Sequence, residues 1–286
     1  MTIIDGKAIA EEILLNIQKE VSENNYQPGL AFILVGDNPA SQAYVRMKKK
    51  TCQELGFHSK DEILPDSITE QELLDIINTY NRDSSIDGIL VQQPLPEHIS
   101  TDKIIEAVVP EKDVDGFHPI NIGYTLLGSD LGFRSCTPLG IHMLLQKMNI
   151  DPRSKHVVVV GRSNIVGKPI AAILMQKKPF CNATVTVVHS MSKDLLSLTK
   201  KADILIAAIG RPRFVTKDMV KEGAIVIDVG INRIEEDGKR KIVGDVAFDE
   251  VAPLCSYITP VPKGVGPMTI AMLMHNTFES YKRRRS

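Results

Sequence analysis

The stretch VGDNPASQAYVRMKKKTCQELGF begins with turn-and-cap residues, continues with a helical pattern and stops at Gly56. At about 100° per residue, Tyr44, Met47, Lys48, Thr51, Cys52 and Leu55 share one face of that helix, while Arg46, Lys49 and Lys50 point elsewhere. A lysine inside an inward-facing stripe has two readings. Desolvated, its ammonium form is disfavoured, and a neutral amine becomes available as a base or proton shuttle near pH 7. Alternatively it snorkels along a domain edge with its charge in water. Tyr44 stands one turn earlier and reaches the same small molecule. Two further segments favour chemistry. GILVQQPLP ends in Gln92 before two prolines, and ligands of parallel sheets bind beyond the carboxyl ends of strands. DVDGFHP places Asp113 and Asp115 in a loop, where a carboxylate either accepts two N–H bonds from an amidine-like group or builds a turn.

A second constellation lies in HVVVVGRSNIVGKPI, where Gly161 follows an apolar run and Gly167 stands six residues later at a helix start. Gly161 permits a tight backbone turn, and Gly167 permits close approach of helix and phosphate. The helix N-terminus then offers free N–H groups to a pyrophosphate. The spacing is not GxGxxG, and an ordinary strand-to-helix turn has the same glycines. The next strand, ATVTVVHS, ends in His189 and Ser190 without the carboxylate that holds the ribose 2′-hydroxyl in NAD-binding Rossmann units. Arg162 and Ser190 can instead take a 2′-phosphate, which favours NADP over NAD. A solvated arginine and a turn-capping serine are the plain alternatives.

The elements that must position these residues are short. GLAFILVG, DGILVQQ, HVVVVG, ATVTVVHS, ADILIAAIG and GAIVIDVGIN read as buried parallel strands, and helical patterns cover 8–23, 41–55, 69–81, 139–149 and 167–177. The class is α/β. About 60 residues containing PEKDVDGFHPINIG separate the two strand clusters, and a final amphipathic helix, TIAMLMHNTFESYKRRR, is expected to return to the first domain. The expected division is 1–138 with 268–286, and 139–267. The terminal KRRR is read as complementing the helix dipole.

Composition narrows the classes further. The 286 residues carry 34 Lys+Arg against 35 Asp+Glu, for a net charge of -1. That balance argues against a nucleic-acid-binding protein. No apolar run is long enough to span a bilayer, and the acidic turn in MTIIDGKAIAEE argues against export. Four dispersed cysteines without CxxC, and histidines without HExxH, point to reduced thiols in a cytoplasmic protein without a metal site.

Taken in order, YVRMK, DGILVQQPLP, PEKDVDG, CTPLG, VVGRSNIVGKP, ATVTVVHS, VIDVGIN, GDV and ITPVPKGVGPMT resemble the bifunctional methylenetetrahydrofolate dehydrogenase/methenyltetrahydrofolate cyclohydrolase family over essentially the whole chain. The resemblance implies two α/β domains around a cleft, the second a Rossmann-like NADP-binding domain with a parallel sheet, in a homodimer. It implies oxidation of 5,10-methylenetetrahydrofolate with NADP, then hydrolysis of the methenyl product to 10-formyltetrahydrofolate. By position, Lys48 matches the family's catalytic lysine, Tyr44 the tyrosine against the folate, Gln92 the glutamine tuning the lysine, and Asp115 the carboxylate holding the pterin. Arg162, Ser163 and Ser190 match NADP phosphate and ribose contacts, and Ile231 and Thr269 match residues close to the cofactor.

Four positions depart from the family pattern: Gln93 for Leu, Ser135 for Pro, Lys263 for the first Gly of PVPGGVGP, and His275 before Asn-Thr. Lys263 is the most consequential, because the resemblance puts that loop beside the folate and nicotinamide, where a side chain either strains or re-aims it or adds a charge near the folate's glutamate tail. Two other classes share parts of the pattern. A different NADP-dependent dehydrogenase explains the nucleotide turn but not Lys48, Gln92 and Asp115 together, and a non-catalytic nucleotide-sensing or scaffold protein, with the departures marking lost activity, leaves that intact constellation unexplained.

Overall fold

The structure is a computed structural model and describes residues 1–236 and 238–285; residues 237 and 286 of the expected domain ranges lie outside the described residues. In chain order the elements are β1 (Thr2–Ile3), α1 (Gly6–Glu23), β2 (Gly29–Val35), α2 (Pro39–Glu54), β3 (His58–Leu64), α3 (Glu70–Arg82), β4 (Gly88–Val91), α4 (Thr101–Ala107), α5 (Pro119–Leu127) and α6 (Cys136–Lys147). They continue with β5 (His156–Val160), α7 (Gly167–Leu174), β6 (Thr184–Val188), α8 (Leu195–Thr199), β7 (Ile204–Ala207), β8 (Ile225–Asp228), β9 (Asn232–Glu236), β10 (Lys239–Val243), α9 (Phe248–Val251), β11 (Tyr257–Ile258) and α10 (Val265–Arg283).

The chain divides into two units, 11–136 with 270–286, and 1–10 with 137–269. The expected division put residues 1–10 with the first domain. They go to the other unit because β1 pairs in parallel with β11, Thr2 opposite Tyr257 and Ile3 opposite Ile258. So short a strand carries too little pattern to be read ahead of the fold.

In the 11–136 unit, a three-stranded parallel sheet runs in the order β3-β2-β4. β2 is central and buried at every position, as expected of an apolar strand covered on both faces. The β3 strand has the sequence HSKDEIL, with charged residues half in water. It is an edge strand, and polar residues suit that place. Ile33, Leu73, Ile77, Ile86 and Ile104 lie in the core between this sheet and the helices.

In the other unit, six strands run β1-β11-β8-β7-β5-β6, and every pair between neighbours is parallel. The chain passes from β5 to β6 on one side, then crosses to β7 on the other. The carboxyl ends of β5 and β7 therefore flank a topological switch point, where ligands of open α/β sheets bind. A separate antiparallel ribbon joins β9 to β10.

Candidate functional site

The first group of chemistry-bearing residues lies within the 11–136 unit. Along α2 the buried stripe is Ser41, Val45, Lys48, Cys52 and, just beyond the helix, Leu55. This i, i+4, i+7, i+11, i+14 series is rotated slightly from the expected one. Met47, expected to face inward, is 48% exposed because it sits on the far flank of that stripe. Lys48 remains inside, at 4% exposure.

Lys48 Nζ donates to Gln92 Oε1 at 3.1 Å and stands 4.9 Å from the centroid of the Tyr44 ring. Gln92 follows the end of β4 and keeps the ladder going by donating its backbone N–H to Ile33 O at 2.8 Å. Its side-chain nitrogen donates to Gln93 O at 2.6 Å. Burial lowers the Lys48 pKa below the ordinary lysine value, while the Asp115 carboxylate and Cys136 oppose the shift. Burial raises the Asp115 carboxyl, with Lys48 pulling the other way. Burial, aided by Asp115, pushes the Tyr44 phenol up to about 12, so it stays protonated.

The two loop carboxylates separate cleanly. Asp113 accepts from Phe117 N at 3.2 Å, His118 N at 2.8 Å and Asn121 Nδ2 at 2.8 Å. It closes its own loop, which is the turn-building role. Asp115 lies instead against Lys48 and the Cys136 thiol. Cys136 is a residue that sequence reasoning missed. The sequence shows it as one of four dispersed thiols and as the first residue of CTPLG, and no spacing signal gives it a place in the site, because the fold brings it beside Asp115 from twenty-one positions away. Its thiol donates to Val114 O at 3.3 Å, and burial with the Asp115 carboxylate holds it well above the ordinary thiol pKa. It is therefore a neutral wall and not a nucleophile.

The second group lies within the 137–269 unit. Gly161 has φ +125 and donates its N–H to Val188 O at 2.8 Å. A Cβ there would stand 2.1 Å from Ala208 O, and one on Gly167 would stand 2.3 Å from Gly161 O. Both glycines are thus required by backbone contact. Ser163 Oγ accepts from Val166 N at 3.2 Å and Gly167 N at 3.3 Å, so it braces the entry to α7. Val160 pairs with Val188, so Arg162 and Ser190 each lie two residues past paired strand ends, and both are exposed. Arg162 and Ser190 thus stand beyond the carboxyl ends of neighbouring parallel strands, past the last paired residues of β5 and β6.

Ile231 follows β8 and is 53% exposed, with its Cδ1 3.5 Å from where a Cβ on Gly266 would be. Thr269 shares a hydrogen bond of 2.9 Å with Thr137. The VIDVGIN and GDV stretches are ties between loops. Asp228 accepts from Gly230 N, Asp245 N and Val246 N, and burial pushes its carboxyl up to about 7. Asp245 accepts from Ile209 N at 2.7 Å, Gly210 N at 2.9 Å and Asn232 Nδ2 at 2.9 Å. Together they fix the loops after β7 and β8.

Comparison with known proteins decides the family. The profile described as tetrahydrofolate dehydrogenase/cyclohydrolase, catalytic domain, matches residues 4–115, and its NAD(P)-binding domain counterpart matches residues 135–285. The chain belongs to this family. A bifunctional protein FolD from Wolinella succinogenes is 54% identical, covering 100% of this chain and 98% of its own. The crystal structure of the bifunctional FolD from Campylobacter jejuni is 52% identical and covers 99% of both chains, with a TM-score of 0.94. The Trypanosoma brucei enzyme, complexed with NADP cofactor and inhibitor, is 36% identical, covers 100% of this chain and 98% of its own, and also has a TM-score of 0.94.

Within the tetrahydrofolate dehydrogenase/cyclohydrolase family, two of this chain's departures acquire a structural meaning. Lys263 sits at φ +82, in the left-handed region, with its carbonyl accepting from Lys7 N at 3.0 Å. Ser135 is fully buried and donates to Gly116 O at 2.8 Å. The terminal basic residues do more than complement a dipole. Arg284 Nη1 and Arg285 Nη1 reach the buried Asp87 at 2.8 and 2.7 Å, and Arg283 donates to Leu131 O and Asp130 O. Among the described residues, no helix is long and apolar enough to cross a membrane, and no group of three or more His, Cys, Asp or Glu could hold a metal.

Proposed function

We propose that the chain oxidises 5,10-methylenetetrahydrofolate to 5,10-methenyltetrahydrofolate with NADP and hydrolyses the product to 10-formyltetrahydrofolate, with Lys48 as the proton carrier. The observation that carries this reading is the buried Lys48 amine, hydrogen-bonded to Gln92 with Asp115 beside it. The 11–136 unit takes the folate and the 137–269 unit takes NADP.

Asp115 accepts hydrogen bonds from the pterin, the bidentate pattern a carboxylate offers to an amidine-like edge. Tyr44, protonated, packs against the folate. NADP, when bound, supplies the acceptor for the hydride that leaves the methylene carbon. Gly161 and Gly167 leave room for its pyrophosphate at the start of α7, Arg162 and Ser190 meet its 2′-phosphate, Ser163 braces the turn, and Ile231 and Thr269 lie toward its reactive end.

The methenyl product is a cation whose bridging carbon is electrophilic without a metal. Water adds there, and the neutral Lys48 amine takes a proton from it. The C–N bond to N5 then breaks with the proton returned to that nitrogen, giving the formyl product and one net proton. Gln92 holds the amine by accepting one of its N–H bonds.

The deciding assay supplies methylenetetrahydrofolate with NADP and follows the rise and decay of methenyl absorbance. A flat trace at saturating substrates overturns the reading. The family resemblance further supports a cytoplasmic homodimer; sedimentation equilibrium at twice the chain mass is expected, and a monomer at working concentration overturns that part.

A further inference from the structure

Three successive backbone carbonyls, those of Val114, Asp115 and Gly116, are held from outside their own loop. Val114 O accepts from Cys136 Sγ at 3.3 Å and from Asn276 Nδ2 at 2.8 Å. Asp115 O accepts from Cys136 N at 3.3 Å. Gly116 O accepts from Ser135 Oγ at 2.8 Å. Asn276 also donates to Arg134 O at 3.0 Å, so one side chain of α10 ties both segments together. The contact is close enough to exclude a side chain: a Cβ on Gly116, which has φ +73, would meet Ser135 N at 2.5 Å.

The Asp115 carboxylate receives no comparable support from its own loop. Asp113 is occupied with Phe117, His118 and Asn121 on the downstream side. The backbone carrying Asp115 is therefore aimed by the 134–136 segment, and the hydroxyl of Ser135 supplies the bond on the carbonyl of the residue directly following Asp115. A buried carbonyl without a donor is costly, so this bond has consequences for geometry as well as stability. A proline at this position has neither a hydroxyl nor an N–H to offer.

We infer that Ser135 is a positioning residue, which sets the reach of the Asp115 carboxylate toward the folate by holding the Gly116 carbonyl. The inference rests on Asp115 being the folate-holding carboxylate. A displacement of a binding group by a fraction of an ångström is felt first in the interaction it makes, so the effect falls on folate and not on the nucleotide.

The test is steady-state kinetics on Ser135→Ala, Ser135→Thr, Asp115→Asn and the Ser135→Ala/Asp115→Asn double variant. Ser135→Ala should raise the KM for methylenetetrahydrofolate about tenfold, with the KM for NADP within about twofold, and Ser135→Thr should recover most of the loss. In the Asp115→Asn background, Ser135→Ala should add little, because both changes act through one carboxylate. An unchanged folate KM in Ser135→Ala, an equal rise for both substrates, or full additivity in the double variant would overturn the positioning role. Asp115→Asn with an unaltered folate KM would instead remove the role of Asp115 itself, and the inference with it. If Ser135→Ala fails to fold, Ser135→Cys, with a weak donor of similar size, carries the same comparison.

Discussion

The Lys48 amine stands 3.1 Å from the Gln92 amide oxygen, and that amide is held in one orientation because its nitrogen donates to Gln93 O at 2.6 Å. Gln92 therefore accepts from Lys48 in either protonation state without competing for its proton. Replacing the amide by a carboxylate changes this balance. Gln92→Glu puts an anion against the amine, which favours the ammonium form and raises the Lys48 pKa. Burial places the pKa of Lys48 below its ordinary value, and the neutral base is present above that pKa and lost as pH falls through it. The acid limb of the hydrolysis profile should thus move to higher pH in Gln92→Glu, with a loss of at least about tenfold near neutrality. A limb that stays in place would separate Lys48 from proton transfer.

The same burial has a stability cost of known sign. The folded pKa of Lys48 lies below its unfolded value, so the folded state binds fewer protons. The cost is fully present below the folded pKa and fades as pH rises toward the unfolded one. Lys48→Met should abolish hydrolysis yet raise the unfolding free energy at neutral pH by about 1 kcal/mol or more, seen as a higher denaturant midpoint. The gain over the parent should shrink in alkaline buffer. A destabilised Lys48→Met protein would mean that the Gln92 bond outweighs desolvation.

Arg162 and Ser190 each stand two residues beyond the paired Val160 and Val188 of β5 and β6. A guanidinium facing a 2′-phosphate contributes on the order of 1.5–3 kcal/mol. Arg162→Ala should therefore raise the KM for NADP by about 10–100-fold and leave that for NAD within about twofold. The NADP effect should weaken at high ionic strength. Equal effects on the two nucleotides would assign Arg162 to the pyrophosphate or to solvent.

Much of this was legible in the sequence, for reasons visible residue by residue. β2 and β5 are apolar at nearly every position because both faces are covered, and such runs announce themselves. Gly161 and Gly167 were legible because backbone contact excludes a Cβ. β3 carries no apolar run, since HSKDEIL is an edge strand whose polar residues face water, with Lys60 bonded to Asp83. β1 is not legible, because two residues carry no pattern and their partner lies at 257–258. Lys48 was legible from helical spacing, although the stripe was turned enough to misplace Met47. Cys136 and Ser135 were not, because their role depends on a loop that only the folded chain brings alongside.

The tail arginines give a stability prediction that their charge alone does not. Asp87 is fully buried and accepts from Gly29 N at 2.8 Å as well as from Arg284 and Arg285. Ser280 adds bonds to Asp87 O and Glu111 O at 2.6 and 2.8 Å. The arginines are partly exposed, so their contribution is discounted for solvent screening, but the carboxylate is not. Asp87→Ala should cost about 3 kcal/mol, as removal of one buried partner does, whereas Arg285→Ala should cost about 1 kcal/mol or less. Urea titration of the two variants reads the difference; equal small losses would make the tail a surface feature.

At Lys263 the backbone matters before the charge. At φ +82 a side chain crowds its own carbonyl, while glycine does not. The conformation is held by Lys7 N on the Lys263 carbonyl and by close packing of Gly264 against Pro260 O, 2.4 Å from an added Cβ. The loop therefore keeps its shape whichever residue occupies position 263. Lys263→Gly should relieve about 1 kcal/mol of strain, partly offset by the greater freedom of glycine in the unfolded chain, and raise the Tm by about 1–3 °C. Lys263→Ala removes the same charge but keeps the Cβ, so it should show no such rise. If alanine stabilises as much as glycine, the cost at this position comes from the ammonium near the positive start of α10, and the backbone has been adopted without measurable strain.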